Sequence, residues 1–173
     1  MFRILKKSLQ TGVVTGHHPA GAAPSDPVSQ DAIEKAKPFR RSMTIREVDT
    51  GSCNACEMEM NALANPVYDV ERFGVHIAAS PRHADALVVT GPVTVNMERA
   101  LKDVYKATAD PKIVIALGDC AGNCGLFKGS YAVTGPVDRH IRVDVRISGC
   151  PPRPAEILAV LGALRKNKAD SDQ

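Results

Sequence analysis

With 173 residues, 44% of them apolar, 22 Lys+Arg against 19 Asp+Glu and no Trp, the chain has the makeup of one ordinary soluble domain and not of a collagen or a disordered protein. No stretch reaches the roughly 18 to 20 consecutive apolar residues that a bilayer-crossing helix needs, so membrane contact is expected to be peripheral or through a partner. A chain of this length hides about two thirds of its unfolded surface without disulfide staples or structural metal, so its five cysteines need another reason to be there.

The start, Met-Phe-Arg-Ile-Leu-Lys-Lys, has the basic residues of an export signal without its continuous apolar core, and the chain reads as cytoplasmic. In that reducing compartment structural disulfides are rare, and an odd number of cysteines fits complete pairing poorly; metal binding or redox chemistry becomes the leading explanation for the thiols. Residues 1–46 hold 8 basic and 3 acidic residues, whereas residues 47–173 are net negative by 2. Residues 1–42 are read as a basic arm and linker, because 17–38 contain Pro19, Pro24, Pro27 and Pro38 among Ala, Gly and Ser and show little periodicity. Such an arm is either a disordered tail or a strap for a partner, with Phe2, Ile4, Leu5 and Leu9 as its apolar side.

A main domain is expected over 43–167, followed by a short tail over 168–173. Within it, runs rich in β-branched residues predict strands at 43–48, 75–78, 86–90, 113–117 and 141–147. Between and after them, helices are predicted at 56–64, 95–107 and 154–166; the last places Ile157, Leu158, Leu161 and Leu164 on one side. Pro151, Pro152 and Pro154 suit its entrance, since the first helical turn leaves its amides unpaired anyway. The alternation predicts an α/β fold with an open, mostly parallel doubly wound sheet of flavodoxin-like type.

Such sheets collect ligands outside the carboxyl ends of their strands. Three cysteine groups fall at predicted ends: Cys53 and Cys56 after the first strand, Cys120 after the fourth and Cys150 after the last. Gly51, Gly118 and Gly149 stand just before them, where a missing Cβ permits tight turns and close approach. A lone CxxC is a weak signal, but convergence of distant cysteines is a stronger one. Thiolates are the ligands of iron-sulfur clusters, four for a 4Fe-4S cluster, and a Cys-Pro step often accompanies the last. Two other readings remain open at this point. Structural zinc would use the same thiolates, usually from two CxxC knuckles in a domain short of core. A thioredoxin-like dithiol would leave Cys120 and Cys150 unused.

Five segments carry a resemblance to a known family: Gly51-Ser52-Cys53-Asn54-Ala55-Cys56, Thr90-Gly91-Pro92-Val93-Thr94, Ala116-Leu117-Gly118-Asp119-Cys120-Ala121, Gly129-Ser130-Tyr131 and Gly149-Cys150-Pro151. Over residues 44–164 the chain resembles the small subunit of nickel-iron hydrogenases, above all the membrane-bound, complex I-related group that includes formate hydrogenlyase. Residues 1–15 also look like the start of formate hydrogenlyase small subunits. The resemblance implies that Cys53, Cys56, Cys120 and Cys150 hold one 4Fe-4S cluster. It also implies a nickel-iron large subunit, a ferredoxin-like iron-sulfur partner and integral membrane subunits, with no nucleic acid partner and a peripheral place on the cytoplasmic side of the membrane. Larger small subunits add clusters in a C-terminal extension; with 23 residues after Cys150, one cluster is expected here.

The homologous quinone-reductase subunit of complex I is the rival resemblance. It shares the later cysteines and a Glu-Met pair matching Glu59-Met60, but has two adjacent cysteines where Asn54 and Ala55 separate Cys53 from Cys56. Cys124 departs from the four-ligand pattern and reads as a spare thiol. Glu59, one helical turn beyond Cys56, is either a solvated carboxylate or a proton-relay or interface residue. Asp119 reads as a turn former, and Arg146 and Arg153 as solvated cations or as partners for cluster charge.

Overall fold

The computed structural model describes residues 27–165, together with Lys6. Its strands are β1 (Met43–Asp49), β2 (Val75–Ile77), β3 (Ala86–Thr90), β4 (Val93–Thr94), β5 (Ile113–Leu117), β6 (Val133–Gly135) and β7 (Val145–Ile147). Its α-helices are α1 (Gln30–Lys35), α2 (Ala55–Ala62), α3 (Glu98–Ala107), α4 (Asp119–Asn123) and α5 (Pro154–Arg165). Five strands pair in parallel in the order β2-β1-β3-β5-β7. Ranked along the chain this is 2-1-3-4-5, the flavodoxin-like order, as expected from the alternation of strands and helices.

Every residue of β3 and β5 is buried, because both faces of these central strands are covered, as parallel sheets require. The two-residue pleat sends Val88, Ile113, Ile115 and Leu117 to one face, where they meet Met60 and Leu63 at α2 and Ile157, Leu161 and Leu164 of α5. Leu87, Val89, Val114 and Ala116 go to the other face and meet Leu101 of α3, with Ala121, Val137 and Ile141.

The strands predicted at 86–90 and 113–117 have those bounds, most other ends shift by one or two residues, and three larger differences have local reasons. The last strand begins at Val145 and not at residue 141. Ile141 is held in a helical turn by its amide bond to the Val137 carbonyl, and Asp144 bonds Val114 through both backbone and side chain. The helix predicted from residue 95 starts at Glu98, because the Val95 amide donates to the Ala132 carbonyl beside the antiparallel β4–β6 pair. Helix α1 lies inside the segment read as linker. Ser29 caps it by accepting from the Ala32 amide, and Ala32 and Ala36 are buried in the main core. The remainder of the basic arm, with Phe2, Ile4, Leu5 and Leu9, and the tail over 168–173 lie outside the described residues.

Asp144 ties α1 to the sheet. Its side chain, 4% exposed, takes Lys35 on both oxygens at 2.8 and 2.9 Å and the Val114 amide at 2.9 Å. Asp144→Ala is expected to cost about 2–3 kcal/mol, because it leaves an amide and a half-buried ammonium unpaired at once. Equilibrium denaturation of the two chains checks this; a loss below about 0.5 kcal/mol would show that water replaces both bonds.

Candidate functional site

The parallel register aligns Asp49, Thr90, Leu117 and Ile147 as neighbours across the sheet. The chain therefore leaves β1, β3, β5 and β7 along a single edge, and the cysteine-bearing segments follow three of these exits. Cys53 is exposed in the loop after β1, and Cys56 is buried in the first turn of α2. Cys120 is buried as the second residue of α4, and Cys150 is exposed after β7. All five cysteines are free thiols.

Hydrogen bonds fix the first loop. Asp49 Oδ1 accepts the Gly51 and Ser52 amides, both at 2.8 Å. Ser52 Oγ accepts the Asn54 amide at 2.9 Å and donates to Glu57 Oε1 at 2.7 Å. Asn54 stands at φ +69°, a left-handed conformation that Asn tolerates better than most residues, and α2 begins immediately after it. Thr50 and Thr94 staple this loop to the exit of β3 through bonds to the Thr90, Gly91 and Thr50 carbonyls.

The other two loops are joined to each other. The Gly118 amide donates to the Ile147 carbonyl at 2.7 Å and the Asp119 amide to the Gly149 carbonyl at 2.9 Å. Gly118 stands at φ +84°, and a Cβ there would lie 2.7 Å from Cys56 Sγ and 3.3 Å from the Gly149 oxygen. Only glycine leaves room for the sulfur of the first motif to rest on the turn that carries the second. A Cβ on Gly125 would likewise lie 2.8 Å from Cys120 Sγ.

The electrostatics separate four thiols from the fifth. Burial pushes the Cys56 thiol up to about 12, helped by Glu57 and then by Cys120, Cys53 and Cys150. Cys120 is raised by burial, then by Cys150 and Cys53, while a backbone bond from Leu126 acts the other way. Cys124 is also raised by burial, but its charged neighbours are Lys128, Asp138 and Arg139, not the other thiols. Cys56 thus feels Cys53, Cys120 and Cys150, and Cys120 feels Cys53 and Cys150, whereas no cysteine figures among the charged neighbours of Cys124. Among the described residues, no three His, Cys, Asp or Glu side chains lie close enough to hold a single metal ion. A four-iron cluster asks for wider spacing, since each thiolate takes its own corner iron.

The remaining residues singled out by sequence fall into place differently. Glu59 is half-buried, whereas Glu57, which the sequence reading passed over, is 9% exposed beneath the cysteine loop with Oε2 buried and unbonded. Burial, then Glu57 and Asp49, raises Glu47 above the usual carboxylate range against the pull of Arg46. No local sequence signal separates Glu57 from Glu59; the phase of α2 does. Arg146 pairs with Asp138 and so spends its charge at the surface. Arg153 is exposed, and its amide is capped by Glu156 at 3.0 Å.

Comparison with known proteins identifies the family. Residues 53–164 match the family model described as the NADH ubiquinone oxidoreductase 20 kDa subunit, a span that includes all four converging cysteines. The chain is 51% identical over 127 residues to a probable membrane-bound hydrogenase subunit of Pyrococcus furiosus, covering 73% of this chain and 76% of the relative. It is 44% identical to formate hydrogenlyase subunit 7 of Escherichia coli over 70% of this chain, though that match spans only 48% of the relative. Among solved structures, a chain of the archaeal membrane-bound sulfane sulfur reductase superposes with a TM-score of 0.64 and 32% identity, covering 79% of this chain and 78% of that one. No helix among the described residues is long and apolar enough to cross a membrane, and these relatives belong by name to membrane-bound or multisubunit oxidoreductases. The chain belongs to the NADH ubiquinone oxidoreductase 20 kDa subunit family.

Proposed function

We propose that this chain is the electron-transfer small subunit of a multisubunit nickel-iron hydrogenase, and that Cys53, Cys56, Cys120 and Cys150 hold one 4Fe-4S cluster. The observation that carries the reading is that the segments bearing Cys53, Cys56, Cys120 and Cys150 leave β1, β5 and β7 along one edge of the sheet, with the Gly118 turn packed against the Cys56 sulfur. The donor set fits the group. Thiolates are the natural ligands of iron-sulfur clusters, glycine at 118 leaves space against the Cys56 sulfur, and positive iron in place of thiol protons relieves the crowding of charge that opposes ionisation here.

When bound, such a cluster supplies one-electron transfer at a potential tuned by burial and hydrogen bonding. The protein's own share is positional. Burial of Cys56 and Cys120 excludes water on the sheet side, and the exposed Cys53 and Cys150 lie toward the surface where a partner would approach. Exposed Met58, Val95, Leu126 and Tyr131 give the chain apolar surface of the kind that permanent complexes bury. In this reading electrons pass between a nickel-iron large subunit, where hydrogen and protons interconvert, and a ferredoxin-like subunit. The chain itself makes and breaks no substrate bond, and it sits peripherally on the cytoplasmic side of the membrane, held by integral subunits.

A quinone-reductase subunit of the complex I type is the second reading, favoured by the family model itself. The separation of Cys53 from Cys56 by two residues favours hydrogenase, because the family's quinone reductases resemble it with adjacent cysteines at that place. A complex captured through a tag on this chain is expected to contain nickel and to reduce an artificial dye with hydrogen. A nickel-free complex that reduces a quinone would assign the second reading instead.

A further inference from the structure

We infer that Asp119 is a positioning residue that locks the Cys120 and Cys150 loops together and whose carboxylate holds the electron affinity of the site down. The inference rests on the cluster reading above and concerns a residue that sequence alone marks only as a turn former. Asp119 makes a reciprocal pair with Gly149: its amide donates to the Gly149 carbonyl at 2.9 Å, and its Oδ1 accepts the Gly149 amide at 2.8 Å. Each partner is the immediate neighbour of a candidate ligand, Asp119 of Cys120 and Gly149 of Cys150. Asp49, the carboxylate of the first loop, bonds only amides of its own loop; Asp119 reaches across 30 residues of sequence.

The two bonds fix the distance between two ligand-bearing backbones. Cys150 is exposed, so packing alone does not hold it in place. The same carboxylate brings a negative charge beside a site that takes up an electron on reduction, and that charge opposes the electron. Placing a carboxylate there costs electron affinity, which an uncharged acceptor such as Asn would avoid while keeping the bond.

Two variants separate these roles in the intact complex. Asp119→Asn retains an oxygen that can accept the Gly149 amide but loses the charge; Asp119→Ala loses both. The readouts are the rate of iron release to a chelator and the midpoint potential from a spin-resonance redox titration. Asp119→Asn is expected to release iron at the wild-type rate, while at the wild-type midpoint its reduced-to-oxidised ratio rises from one to about three or more. Asp119→Ala is expected to release iron about fivefold faster, the effect of one lost hydrogen bond of roughly 1 kcal/mol. The inference is overturned if Asn releases iron as fast as Ala, if Ala matches the wild type, or if the Asn midpoint does not rise. Should the alanine chain not assemble, the asparagine variant alone decides. A wild-type complex with no iron-sulfur signal from this chain would instead sink the cluster reading and leave the backbone brace as a structural fact.

Discussion

Cys120→Ser is expected to abolish the four-iron cluster or convert it to a smaller one, whereas Cys124→Ser leaves it intact. The two thiols are four residues apart, one inside a short helix and the other at its C-cap, and both are buried, so burial does not distinguish them. Their neighbours do. Cys120 lies in the field of Cys150 and Cys53, while the charged groups around Cys124 are Lys128, Asp138 and Arg139. The Cys124 backbone, at φ +70°, turns the chain sharply at the end of α4. Serine offers a hard, poorly ionised oxygen where iron prefers thiolate. Iron per chain should therefore fall from about four to about three or to about zero in the Cys120 variant and stay at about four in the other. The reverse ranking in iron content and in the reduced-state spin-resonance signal would move the fourth ligand to Cys124.

A second large effect is expected at a residue that binds nothing. Gly118→Ala places a methyl group 2.7 Å from Cys56 Sγ, at a backbone φ of +84°. With ψ at 162° the backbone lies in a region almost confined to glycine and costs about 1–3 kcal/mol, which a core of this size tolerates. The displacement of a ligand sulfur is not tolerated, because cluster ligands must meet iron at fixed bond lengths. The variant is expected to keep its far-ultraviolet dichroism and lose most of its iron. Gly129→Ala is the control: it has the same φ of +84° with nothing within 4 Å of the new methyl, and should keep its iron. Equal iron loss in both would mean that backbone strain, and not the sulfur contact, governs assembly.

The parts of this protein that could be read before folding are those whose signal is dense in sequence. The strands at 86–90 and 113–117 are apolar runs broken only by the terminal Thr90, and α5 repeats its apolar residues at helical spacing, so their placement followed from run length and periodicity. The β4–β6 pair, with two and three residues, and the five-residue α4 are too short to show a period. They owe their conformation to contacts such as the Thr94 bond to the Thr50 carbonyl. Helix α1 hid inside a Pro-, Ala- and Gly-rich stretch because its stability comes from the burial of Ala32 and Ala36 and from Lys35 reaching Asp144, a residue 109 positions away.

The site divides in the same way. Cysteine spacing after predicted strands pointed to the sheet edge whose exits carry Cys53, Cys56, Cys120 and Cys150, but nothing local distinguished Glu57 from Glu59. Which of them turns under the loop depends on the phase of α2, and that is set by the left-handed Asn54. The Asp119–Gly149 pair is likewise invisible in sequence, since its partners are joined only by the pairing of β5 with β7.

The central claim is that four particular sulfurs share one cluster. Mössbauer spectroscopy of the purified complex, with iron-57 introduced into this chain by reconstitution, tests it most directly. The expected spectrum is that of a single four-iron cubane, lost in each of Cys53→Ser, Cys56→Ser, Cys120→Ser and Cys150→Ser and unchanged in Cys124→Ser. A two-iron or mononuclear spectrum, or a four-iron spectrum that survives loss of any of the four, would contradict it.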